Sequence, residues 1–221
     1  MSFGTRSLPP LGAPPNRSLL RSPRGLATAL TVLLAVCALT RLLLLAADAG
    51  WYLALDAARD AQPAWRLSTM ATSLTLLATL PTAAVFIVWF HRVRVNAGVH
   101  APELFRRGPG WAVAVPFVGW TFLAHGIATG VWTASAPKPA RGGAPVSTAP
   151  VTAWSATFGA AMLASLVSRR MAASAGTPAG LRDAALVGMA SDLLFVVAAG
   201  CAVVLVRKVT ALQDQAAARR A

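Results

Sequence analysis

Four long apolar runs, joined by short links that carry arginine, leave this chain one environment in which to fold. Leu26 to Asp48 is interrupted by Arg41 alone, and Ser68 to Phe90, Val151 to Val167 and Ala184 to Val206 follow the same pattern. A helix needs about 20 mostly apolar residues to cross a hydrocarbon core of about 30 Å, and each run meets or approaches that length. Hydrophobic residues make up 56% of the chain and charged ones 12%, with a mean hydropathy of +0.60. A soluble domain of 221 residues cannot cover its surface from so small a polar supply. The expected fold is therefore an all-α integral membrane bundle. It has four transmembrane helices and a third apolar segment broken by Gly and Pro, which is either re-entrant or a fifth crossing.

Three regions divide the chain. Residues 1–25 carry Pro9, Pro10, Pro14, Pro15 and Pro23 with Arg6, Arg17, Arg21 and Arg24 and no acid, the composition of a disordered basic tail. Residues 26–206 form the transmembrane domain, and residues 207–221 continue as a polar helix end and tail on the cytoplasmic side. The first run exceeds the roughly 7 to 15 apolar residues of a signal peptide, which favours an uncleaved anchor. Trp51 and Trp65 flank the link after it, as at two neighbouring interface crossings.

Pro81 should bend the second helix, with Thr79 or Thr82 available to the carbonyl it frees. Gly110 to Ser135 is the broken segment, with Pro116, Gly119, Gly126, Gly130 and a polar His125; Ala136 to Pro150 is a flexible link. Small residues Ala184 and Gly188, then Ala198 and Gly200, permit close helix approach along the last run.

The formal charge of +13 raises nucleic acid as a partner. The basic residues, however, stand at the ends of apolar runs and form no aromatic-interleaved face, so no nucleic acid is expected. Basic residues favour the cytoplasmic side. If residues 110–135 dip and return, the basic tail, the link holding Arg92, Arg94, Arg106 and Arg107, Lys138, Arg141 and the C-terminal basic residues share one side. That leaves Arg59, Arg66, Arg169, Arg170 and Arg182 opposite, a stronger bias than five crossings give. Both ends are then cytoplasmic, in a multi-pass protein of the cell membrane. In this arrangement Arg41 and Asp192 lie at matching depth and could pair, since an unpaired charge at mid-helix costs about 2.5 to 3.5 kcal/mol on insertion scales; the alternative is that Arg41 snorkels outward while Asp192 is protonated or bonded to a neighbouring hydroxyl.

The change from lipid to water is sharpest between Ala83 and Val118. There Trp89 is suited to the headgroup level, Arg92 to phosphates, and Asn96, one turn on, to the same face. Trp89, Arg92 and Asn96, then Arg106, Arg107, Gly110, Trp111, Ala112 and Pro116, and finally Val206 to Gln213 with Arg207, Thr210 and Gln213, follow in an order that resembles the domain of unknown function 4328 family. Its members are bacterial, mostly actinobacterial, membrane proteins. The resemblance runs from about Thr69 to Gln213; near Gly119, Leu123 and Ala124 this chain lacks the Asn and the Pro-Tyr pair usual in the family. The resemblance implies a multi-pass helical membrane protein and supplies no activity.

No arrangement of catalytic type stands out. Seven acids are scattered and three histidines isolated, and neither a phosphate-cradling glycine loop nor a His-Glu metal motif occurs. No catalytic residue, cofactor or metal is expected, and Cys37 and Cys201 read as small buried hydrophobes. The function expected is a non-enzymatic structural or regulatory membrane module, with the lipid bilayer, a second copy or another membrane protein as partner. The alternative is a small transporter or channel subunit with a polar path through Arg41, His125 and Asp192.

Overall fold

In the computed structural model the described residues are 22–57, 60–100, 122–136 and 147–218, and among them the regular structure is entirely helical. The helices are α1 (Arg24–Asp56), α2 (Gln62–His100), α3 (Phe122–Ser135), α4 (Ala149–Ser174) and α5 (Pro178–Ala218). All but α3 are long and apolar enough to cross a membrane. Residues 1–21 of the expected tail, along with Arg106, Arg107, Gly110, Trp111 and Pro116, lie outside the described residues, while Arg24 and Gly25, expected in the tail, already belong to α1.

The helices run past the ends expected from hydropathy. Residues 49–56, the segment from His91 to His100 and Arg169 to Ser174 are helical extensions where links were expected, and Arg207 to Ala218 form the polar helix end expected after the last run. These stretches contain few breakers, and a helix satisfies its backbone internally in water as well as in lipid. With 41 residues α5 is about 60 Å long, about twice the thickness of a hydrocarbon core.

Cross-helix bonds fix the directions. α1 and α2 are antiparallel, since Asp48 meets Ser68 and Cys37 meets Thr82. α1 and α5 are antiparallel as well: Arg24 meets Asp214 at one end and Asp56 meets Arg182 at the other. Ser168 bonds Ala184 and Ser191 bonds Ala161, so α4 also opposes α5. It follows that the end of α2 and the start of α4 lie at the same end of the bundle. The chain between them, including α3, returns to the side it left, as in the dipping alternative, and α3 itself has 14 residues, about 21 Å.

The apolar core gathers at that first end. Leu30, Trp89, Phe90, Val93, Val131, Trp132, Val151 and Val206 are buried together there. α3 wedges between α2 and α4, which do not otherwise pack along their length. Elsewhere the large apolar side chains point outward, among them Leu39, Leu53, Leu76, Leu77, Leu80, Leu163 and Leu193, while Thr75, Thr82, Ser191 and Asp192 are buried. A fold that turns leucine outward and aspartate inward has the polarity of a bundle in lipid.

Two local expectations change. Thr79 donates to the carbonyl of Thr75 and Thr82 to that of Ala78, so neither serves the Leu77 carbonyl that Pro81 leaves free. A threonine hydroxyl in a helix reaches its own i−4 carbonyl more easily than a neighbour's. Gly200 has no atom near the position of an added Cβ and faces outward, so it is not a packing contact. Gly188 is one: a Cβ there would stand 3.1 Å from Ser168 Oγ, and the backbones of α4 and α5 approach closely at that level.

Candidate functional site

The polar residues singled out in the sequence fall into two groups inside the bundle, one at mid-length and one at the first end. At mid-length the Arg41 guanidinium donates to Asp192 Oδ1 at 2.8 Å. Arg41 is near the middle of α1, about 25 Å from its start, and seven residues, about 10 Å, from Asp48. The Asp192 residue is 3% exposed. Arg41 also covers the Phe195 ring with its guanidinium carbon 4.0 Å from the centroid, a cation–π contact one turn along α5. Charge, hydrogen bond and ring face together hold the arginine against α5.

A cleft of about 360 Å³ lies beside this pair, with walls from α1, α2, α4 and α5. Arg41 is its charged lining residue, and Phe86, Trp154, Phe158 and Phe195 supply its rings. It occupies the gap that α2 and α4 leave between them. Phe86 and Trp154 bridge that gap with centroids 5.8 Å apart.

At the first end, Trp89 and Asn96 are two turns apart on α2 and face Thr210 and Gln213 on α5. Trp89 Nε1 donates to Thr210 Oγ1 at 3.4 Å, and Asn96 Nδ2 donates to Gln213 Oε1 at 3.1 Å. Gln213 Nε2 donates to the Val93 carbonyl at 2.9 Å and to Ser135 Oγ at 3.1 Å. One glutamine amide thus ties α2, α3 and α5, with its oxygen and its nitrogen both engaged.

This arrangement corrects the headgroup role expected for Trp89, which is 1% exposed and packed in the core. Asn96 also turns inward, while Arg92 donates to the Ser22 carbonyl at 3.2 Å in an exposed bond. On a helix of period 3.6, Arg92 and Asn96 are offset by about 40° around the axis and by one turn along it, which puts one at the rim and the other inside. Arg207 is exposed on α5. His125, half-buried, shares a hydrogen bond with Ser155 Oγ at 2.9 Å, and no hydrogen bond among the described residues joins it to Arg41 or Asp192.

Several participants had no distinct signal in the sequence. Asp48 accepts from Ser68 Oγ at 2.7 Å, and Arg182 reaches Asp56 at 2.7 Å and the Tyr52 hydroxyl at 3.4 Å, closing the second end of the bundle. Trp51 and Trp65, expected to flank two neighbouring crossings, lie against each other with centroids 5.8 Å apart. Arg94 is buried on α2 with its guanidinium laid along Gly98, where a Cβ would meet Nη1 at 3.1 Å. Among the described residues no group of three or more His, Cys, Asp or Glu is placed to hold a metal.

The segment that carries most of these contacts also places the chain. Residues 53–211 match the profile of a family described as a domain of unknown function, DUF4328. The chain belongs to the DUF4328 family. Trp89, Arg92, Asn96, Asp192, Arg207 and Thr210 lie inside the DUF4328 match; Gln213 lies just beyond it, and Arg41 precedes it with most of α1. The central ion pair therefore joins a DUF4328 helix to a helix that the match largely leaves out. No curated protein and no solved structure matches this chain.

Proposed function

We propose that this DUF4328 protein is a non-enzymatic structural or regulatory module of the cell membrane, with both ends cytoplasmic and with lipid, a second copy or another membrane protein as its partner. The observation that carries this reading is how the interior polar groups are used. Arg41 with Asp192, Asn96 with Gln213, Ser68 with Asp48 and Ser191 with the Ala161 carbonyl are bonds from one helix to another. Groups engaged in this way fix the bundle's register, which is a structural use of intramembrane polarity. The orientation rests on the basic residues gathered at the first end, following the cytoplasmic preference of Lys and Arg.

The transporter reading requires a polar path through Arg41, His125 and Asp192, and the His125 to Ser155 bond lies apart from the central pair. Asp192→Asn tests the proposal in the purified full chain. The module reading predicts a lower unfolding midpoint in detergent and no ion or solute flux to lose in reconstituted vesicles. A variant that assembles with unchanged stability while abolishing a measurable wild-type flux would overturn it.

A further inference from the structure

Asp48 is only half engaged by the bond that ties it to α2. Its Oδ1 accepts from Ser68 Oγ at 2.7 Å, while no hydrogen bond among the described residues reaches Oδ2. The ion pairs among the described residues use Asp214, Asp192 and Asp56, and none uses Asp48. Asp48 is half-buried and stands about 10 Å along α1 from Arg41, whose guanidinium already holds Asp192 at 2.8 Å. Between mid-length and Asp48 the α1/α5 seam thus sets two carboxylates against one arginine. A carboxylate drawn from water without a counter-charge is costly.

The unused oxygen lies beside a glycine. The atoms of other helices nearest the position of a Gly188 Cβ are Ser168 Oγ at 3.1 Å and Asp48 Oδ2 at 3.8 Å. Glycine therefore leaves a gap where α1, α4 and α5 meet, with oxygens from two helices on its wall. The hydrogens around it are committed elsewhere. Ser168 donates to the Ala184 carbonyl at 2.9 Å, and Ser68 donates to Asp48 Oδ1. A hydroxyl that has donated keeps its acceptor lone pairs, and an ionised carboxylate only accepts. A wall of acceptors suits a cation.

Charge narrows the class further. One positive charge balances the surplus carboxylate, and the other ionisable groups nearby are already engaged, Arg41 with Asp192 and the Tyr52 hydroxyl with Arg182. From α2 and α4 the neutral Ser68 and Ser168 approach Asp48 and the gap beside it. Calcium takes six to eight oxygens and magnesium a near-ideal octahedron, which one carboxylate and two hydroxyls do not supply. Oxygen ligands also disfavour the soft metals. The route is short, since Asp48 stands about 12 Å along α1 from Asp56, which is exposed at the second end.

We propose that Asp48, with Ser68 and Ser168 around the Gly188 gap, binds a small monovalent cation of the sodium type at the junction of α1, α4 and α5. The ion neutralises Asp48 and links α1 to α4, both of which pack on α5. This goes beyond the module reading and assigns binding only, with no transport. The Arg41–Asp192 pair stays intact.

The test uses the full chain purified in a neutral detergent. It measures equilibrium binding of radiolabelled sodium, and the thermal unfolding midpoint in sodium chloride against choline chloride at equal ionic strength. A ligand that binds only the folded state raises that midpoint as its concentration rises. The wild type is expected to bind sodium saturably and to unfold at a higher temperature in sodium than in choline. Asp48→Asn, whose amide oxygen still accepts from Ser68, should lose both effects while eluting as the same assembled species. Ser168→Ala, which removes an oxygen, and Gly188→Ala, which fills the gap, should each weaken sodium binding about tenfold. No bound sodium and equal midpoints in the two salts would overturn the proposal. A midpoint that follows pH but never sodium would show that Asp48 takes up a proton only, and overturns it as well. So does sodium binding that Asp48→Asn leaves intact, or, should that variant fail to fold, binding that Ser168→Ala and Gly188→Ala both leave unchanged. These readouts concern sodium and leave the structural test with Asp192→Asn standing by itself.

Discussion

Arg41 Nη1 and Asp192 Oδ1 stand 2.8 Å apart although 151 positions separate them in the chain, and together they join the first helix to the last at mid-length. Removing one partner leaves the other charge buried without its counterion. That typically costs about 3 to 5 kcal/mol, whereas replacing both partners by apolar residues is often neutral. Arg41→Leu and Asp192→Leu should each lower the unfolding free energy in mixed micelles by about that amount. The double variant should recover most of the loss, and the coupling between the two sites is the quantity to measure.

Gln213 carries a second prediction. Its amide makes three hydrogen bonds to α2 and α3, and truncation removes all three at once, leaving the Ser135 hydroxyl without its bond to α5. Gln213→Ala should cost about 1 to 3 kcal/mol, the usual penalty for buried polar groups left unpaired. Thr210→Val, which removes only the long bond from Trp89, should cost less than Gln213→Ala in the same unfolding assay.

The two glycines of α5 should behave oppositely. A side chain at Gly188 pushes directly against Ser168, so Gly188→Leu should destabilise by about 1 to 3 kcal/mol through the forced separation of α4 and α5. Gly200 has open space around its Cβ position, and Gly200→Ala should stabilise the helix by about 0.5 to 1 kcal/mol. Thermal unfolding in detergent distinguishes the two signs.

Much of this architecture could be read from residue types because the constraint was severe. Four apolar runs admit few folds, and lone charges on the first and last runs had matching depths, so chain direction and the cost of isolation made their meeting one of two readings. The first-end cluster was harder to read. Trp89 and Asn96 beside arginines have the composition of a lipid interface, and only the rotation of α2 against α5 shows that both turn inward. Helix ends were misjudged for a related reason. Hydropathy marks where lipid stops, while Arg169 to Ser174 continue as helix because nothing in their sequence stops it. The cleft had no local signal, since it arises where α2 and α4, among the described residues, do not pack on each other.

Single-cysteine accessibility in intact cells tests the four-crossing arrangement most directly. In a Cys37→Ala/Cys201→Ala background, Ser22→Cys and Ser147→Cys should both resist a membrane-impermeant maleimide until the cells are opened, while Thr177→Cys should label from outside. Labelling of Ser22→Cys and Ser147→Cys from opposite sides would mean that the segment containing α3 crosses the membrane, and would contradict the arrangement in which α2 ends and α4 begins at the same face.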